Sequence, residues 1–192
     1  MKSAKFTAFI FILALAACDN ELDKRERSYS NTGLPITAAQ NVPNLPTAGS
    51  GTLDVEYTPA NKTLNYKITW SNLTDSVLAI RINGPAVSGF NSVNLTFAPS
   101  PSVLLNATTT PHVVVQEFVG STSTVPTKAL YGKNGSLTGS LFIDGVKVKE
   151  ELLLSRQYYV SIHTKTIIPG LQPPASLAYR WLGEIRGQII VQ

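Results

Sequence analysis

The feature that most limits the fold of this 192-residue chain is a period-two alternation of apolar and polar residues beginning near Gly51. Leu53, Val55 and Tyr57 alternate with polar neighbours, as do Leu64, Tyr66, Ile68 and Trp70, and then Leu78, Ile80 and Ile82. Successive side chains of a strand point to opposite faces, so this spacing marks strands with one face buried. Val93 to Phe97, Val113 to Val119, Leu137 to Ile143, Tyr158 to Thr164 and Glu184 to Val191 extend the series to about eight strands. Thr58-Pro59-Ala60-Asn61-Lys62, Asn72-Leu73-Thr74-Asp75-Ser76 and Gly84-Pro85 supply turn chemistry between them. Short strands at close spacing predict an all-β fold: a single antiparallel β-sandwich or a barrel-like Greek-key domain. Tyr57, Tyr66, Trp70, Tyr158 and Phe142 follow the alternation and are expected in the core.

Two segments break the pattern. Val148 to Arg156 contains Glu150, Glu151, Leu152, Leu153 and Leu154, residues that favour a short helix between two strands. Thr166 to Leu182 carries Pro169, Gly170, Pro173 and Pro174 and reads as a long loop. Tyr179, Trp181 and Leu182 at its end are expected to fold back onto the core.

The first residues set the compartment. Lys2 and Lys5 precede an apolar run from Phe6 to Ala17, and Cys18 follows. The run is shorter than the about 20 residues that span a bilayer. It has the order of a secretory signal: a positive region, an apolar region, then small residues. Leu15-Ala16-Ala17-Cys18 resembles the lipobox of bacterial lipoproteins. That resemblance implies removal of residues 1–17 and acylation of Cys18, with the membrane as partner through acyl chains such as palmitate. It implies a lipid-anchored protein of the cell envelope, the outer membrane ahead of the inner. Cys18 is the only cysteine, so no disulfide braces the fold.

Asp19 to Arg27 is dense in charge and nearly free of apolar side chains, and Ser28 to Ser50 is punctuated by Gly33, Pro35, Pro43, Pro46 and Gly49. Residues 18–48 are therefore read as the lipidated cysteine and a flexible, disordered stalk, and residues 49–192 as one domain. The formal charge of +4 includes the two leader lysines, and without them it falls to +2. No basic run with interleaved aromatics appears, which argues against nucleic acid as a partner.

Several pieces then read together. Gly51-Thr52-Leu53 is followed by Leu64-Asn65-Tyr66-Lys67-Ile68-Thr69-Trp70, by Ile82-Asn83-Gly84-Pro85-Ala86, by Tyr158-Tyr159-Val160-Ser161-Ile162-His163-Thr164, and by Gly183-Glu184-Ile185-Arg186-Gly187-Gln188-Ile189. This resembles the CHRD domain, first described in chordin and widespread in bacterial secreted proteins, over about Gly51 to Val191. The family commonly reads His-x-His-Gly-Pro where this chain has Arg81-Ile82-Asn83-Gly84-Pro85, and it often has a shorter connection than Lys165 to Leu182. Anything in the family that rests on that histidine pair is in doubt here.

Catalytic chemistry finds little support. A metal site needs about three converging nitrogen, sulfur or carboxylate ligands. The chain has two histidines, His112 and His163, and its one cysteine is assigned to lipid. His163 is read as a structural strand histidine and His112 as solvated, so no metal or other cofactor is expected. No Gly-x-Ser-x-Gly elbow or phosphate-cradling glycine loop occurs. Glu184 and Arg186 lie two apart on a predicted strand and share a face. They read as a recognition pair for a partner or, ahead of that, as an ion pair bracing the last strand. Gly183 and Gly187 beside them are expected to mark close backbone approach or a bulge.

The reading that emerges is a lipid-anchored envelope protein whose CHRD-like domain is not an enzyme. It binds a surface protein or glycan, or serves a structural role. The alternative is a metal-dependent or hydrolytic enzyme with its site near the 165–182 loop. The sequence carries no signal for oligomeric state.

Overall fold

The alternation becomes eight antiparallel strands in the computed structural model, which describes residues 27–41, 44–90, 113–120, 129–165 and 183–192. The strands are β1 (Tyr29–Thr37), β2 (Ser50–Thr58), β3 (Thr63–Ser71), β4 (Val77–Gly84), β5 (Val113–Val119), β6 (Gly135–Phe142), β7 (Tyr159–Thr164) and β8 (Ile185–Gln188). They form one sheet in the order β5-β4-β7-β8-β1-β2-β3-β6. The sheet curls until its two edge strands face each other. Gln116 of β5 donates through Nε2 to the Ser140 carbonyl of β6 at 3.1 Å and accepts from the Tyr66 hydroxyl of β3 at 2.8 Å. The result is a nearly closed barrel. Closure of this kind leaves few unsatisfied edge groups.

The inner face follows from period two. Leu53, Val55 and Tyr57 of β2, Leu64, Tyr66, Ile68 and Trp70 of β3, and Ile80 and Ile82 of β4 are all buried in one core. Val160 and Ile162 of β7 and Ile185 of β8 complete it. Helix α1 (Glu150–Leu154) forms where the leucine-rich segment predicts it. Its Leu153 is fully buried and belongs to that core, as does Val148 just before it.

Two expectations are corrected. Residues 18–48 are not all stalk: β1 occupies Tyr29–Thr37, and Leu34, Ile36 and Ala38 are buried. The inward side chains alternate correctly, but only from Leu34 onward. A register shift between Asn31 and Leu34, with Gly33 at φ 69°, interrupts the strand. Pro35 is tolerated because β1 meets β8 through the single register pair Thr37–Arg186, so no long ladder needs its missing N–H. The second correction is Phe142, which is 62% exposed. Leu141 and Ile143 are the buried residues there, and period two then sends Phe142 outward.

The expected strand Val93 to Phe97, His112, the leader with Cys18, and the loop residues 166–182 lie outside the described residues. Seven of the eight expected strands are present, and β1 is the eighth.

Candidate functional site

The three residues singled out on the last two strands, His163, Glu184 and Arg186, are all buried, and they belong to the wall of the barrel rather than its lumen. On β8, Ile185 points into the core, so its neighbour Arg186 points outward, while Glu184 stands in the bend just before the strand. Ser161 of β7 stands opposite Arg186, and Arg81 of β4 stands opposite Ser161. The outer face of β4, β7 and β8 therefore collects Asn83, Tyr159, Ser161, His163, Arg186 and Gln188 in a buried polar layer.

Its hydrogen bonds form a chain. Asn83 Nδ2 donates to Ser161 Oγ at 2.8 Å, and Ser161 Oγ lies 2.9 Å from His163 Nε2. Arg186 stacks over the Tyr159 ring, 3.7 Å from its centroid. It donates to the carbonyls of Phe90 at 2.6 Å and Val87 at 3.3 Å and to Gln188 Oε1 at 3.1 Å. Gln188 Nε2 reaches the carbonyls of Ala86, Arg156 and Tyr158. Arg186 and Gln188 thus fasten the 86–90 segment over the sheet. Burial pulls the Arg186 guanidinium below its ordinary value, and the neighbouring Tyr159 phenol works in the opposite sense.

Glu184 does something different. Its Oε1 accepts from the Thr74 amide and the Thr74 hydroxyl, each at 2.8 Å, and from the Thr47 hydroxyl. The Asn41 amide donates to the Glu184 carbonyl at 3.0 Å. The fully buried carboxylate therefore pins the 44–49 segment, through Thr47, to the 72–76 turn. The ion pair expected between Glu184 and Arg186 is not formed, because the carboxylate and the guanidinium serve different loops. Gly183, at φ 85°, makes the bend possible: a Cβ there would sit 2.8 Å from the Ile162 carbonyl.

A cavity of about 580 Å³ opens where β1 and β8 splay apart beyond their single register pair. Leu34, Pro35, Val87 and Ile190 give it apolar walls, and Gln40, Arg156 and Gln188 supply polar groups. Its lining is mainly apolar, with a few amides and one guanidinium. His163 and Glu184 do not line it.

Among the described residues no group of three or more histidine, cysteine, aspartate or glutamate side chains converges. The two positions where the family commonly has histidines are occupied by wall contacts. Arg81 pairs with Glu117 of β5, and Asn83 bonds Ser161. Sequence reasoning missed Ser161, Gln188 and Gln40. The i, i+2 spacing of Ser161 and His163 on one strand was the available signal for the first. Gln40, whose Oε1 accepts the Gln188 amide at 3.1 Å, sat in the assumed stalk.

A buried outer-face polar layer on an eight-stranded antiparallel barrel is the frame in which the family comparison falls. The family model described as CHRD domain matches residues 33–171. The chain belongs to the CHRD domain family. The match begins inside β1, which agrees with that strand being part of the domain. Neither the curated proteins nor the solved structures give a match.

Proposed function

We propose that this protein is a lipid-anchored component of a bacterial cell envelope whose CHRD domain is non-catalytic and works by binding or by structural support at the cell surface. The observation that carries this reading is Leu15-Ala16-Ala17-Cys18 placed after Lys2, Lys5 and an apolar run, with Cys18 the only cysteine of the chain. Acylation needs one thiol at one place, and the chain supplies one. The domain supports the non-catalytic half of the proposal. Glu184 Oε1 accepts from Thr47 and Thr74, and Arg186 and Gln188 bond backbone carbonyls and one another. Partners in this reading are the membrane, through the lipid, and a surface protein or glycan. Cellular fractionation of wild type and Cys18→Ala tests it: wild type is expected in the membrane fraction and the variant in the soluble one. Equal partition would overturn the anchored reading.

A second reading, hydrolytic activity, draws on one contact. Ser161 Oγ and His163 Nε2 are at hydrogen-bond distance, which is how an activated nucleophile begins. Burial weighs against it, since Ser161 is 1% exposed and His163 5%.

A further inference from the structure

Among the described residues, exposed large apolar side chains fall in two segments, Val87 and Phe90 in one and Phe142, Val146 and Leu154 in the other, and the second lies near the place where the chain enters β1. β1 begins at Tyr29, and Tyr29 is in register with Tyr57 near the end of β2. The Ser30 amide donates to the Gln192 carbonyl, so the start of β1 and Gln192 meet at this mouth of the barrel. β3 begins and β6 ends there, since Thr63 is in register with Phe142. The segment from Phe142 to Arg156 then covers the mouth, with Ile143, Val148 and Leu153 packed into the core.

The outer side of that segment is unusual. Phe142 is 62% exposed, Val146 82% and Leu154 41%, three of the five most exposed large apolar side chains among the described residues. Lys62, Lys147, Lys149 and Arg156 are exposed around them, together with Asp144 and Glu151, and Glu150 is half-buried beside them. Val146 stands on a preorganised loop. Asp144 Oδ1 accepts the amides of Val146 at 2.9 Å and of Lys147 and Val148 at 2.8 Å each, and Gly145 takes φ 75°. A fixed loop loses little freedom when its tip is buried. Apolar tips with lysines beside them match the interfacial zone of a bilayer, where apolar groups enter and cations meet phosphate.

We propose that this mouth of the barrel, led by Val146 with Phe142 and Leu154, rests on the bilayer surface that holds the lipid. The inference depends on the anchored reading above. Its geometry comes from the tether: from Cys18 to Tyr29 is a span of eleven residues, which reaches at most about 40 Å when fully extended. A strand of nine residues is about 30 Å long. To set the opposite mouth on the membrane, the tether would have to hold about three quarters of its full reach along the barrel wall. With the Val146 mouth down, the same tether is slack. The orientation also turns the Glu184 mouth, with its pinned 44–49 and 72–76 segments, toward the exterior.

The test uses the full chain, processed and purified from membranes. Because Cys18 is acylated, a single new cysteine can be labelled alone with an environment-sensitive fluorophore. Val146→Cys reports on the proposed contact, and Lys133→Cys, exposed near the opposite mouth, is the reference. Both are reconstituted into vesicles of phosphatidylethanolamine and phosphatidylglycerol. The expected result is blue-shifted emission at position 146, quenched by brominated lipid, with an aqueous spectrum at 133. Aqueous spectra at both positions on vesicle-bound protein would overturn the membrane contact and leave the anchor intact. A mass lacking lipid on Cys18 would overturn both.

Discussion

The Tyr66 hydroxyl donates to Gln116 Oε1 at 2.8 Å, joining β3 to β5 across a gap that no backbone ladder crosses. Gly139 makes the path, since a Cβ there would collide with the Tyr66 phenol. Gln116 also reaches Ser140 on β6, so one side chain ties both edges of the sheet. Gln116→Ala is expected to lower stability by about 1–2 kcal/mol, the scale of two lost hydrogen bonds in a partly buried setting. Hydrogen exchange should rise first in β5 and β6. Uniform exchange across all strands would contradict a seam held by this residue.

Alkaline pH acts on the same contact. Burial pushes the Tyr66 phenol up to about 12, and it raises Tyr57 and Tyr158 as well, with the Glu150 charge adding to Tyr57. An acid whose folded value is raised favours the folded state while it stays protonated. That stability is complete below the unfolded value of about 10 and is lost as pH rises from 10 toward 12. Denaturant midpoints should therefore fall across that window, and Tyr66→Phe should flatten part of the fall. Tyrosinate absorbance followed during the titration measures it.

Glu184 is the second structural centre. Removing its carboxylate with Glu184→Ala leaves the Thr74 amide and two threonine hydroxyls without their acceptor. A loss of about 3 kcal/mol is expected, as for hydrogen bonds to a charged group. Urea unfolding gives the size, and exchange in residues 44–49 and 72–76 gives the location.

Arg186→Lys tests the other half of the layer. A lysine keeps the charge but cannot reproduce the forked contacts to Phe90, Val87 and Gln188 or the stack on Tyr159. Stability should fall by about 2 kcal/mol, and limited proteolysis should open the 86–90 segment. Unchanged proteolysis would show that Arg186 does not hold that segment.

Ser161 separates the binding account from the hydrolytic one. At 1% exposure its hydroxyl should resist a fluorophosphonate probe in the folded protein. Labelling abolished by Ser161→Ala or His163→Ala would favour a serine hydrolase.

Strand positions were legible wherever alternation ran through a full strand with turn residues at both ends, as in β2 and β3. β1 was hidden because its bulge at Gly33 and its Pro35 imitate linker composition, leaving only Leu34, Ile36 and Ala38 to carry the period. Phe142 misled because an aromatic residue near a strand end looks like core, and only the parity of Leu141 and Ile143 fixes its face. The Glu184–Arg186 spacing pointed to a same-face pair, yet Glu184 falls just outside β8 and the two side chains bond different loops. It could not tell that loops from distant sequence would take their charges, because Thr47, Thr74 and Phe90 reach them only through the fold.

The central claim is the anchor, and intact mass analysis of the mature N-terminal peptide tests it most directly. The account predicts a chain beginning at Cys18 with diacylglycerol on its sulfur. A chain beginning elsewhere, or an unmodified Cys18, would contradict it and make this CHRD domain a freely released protein.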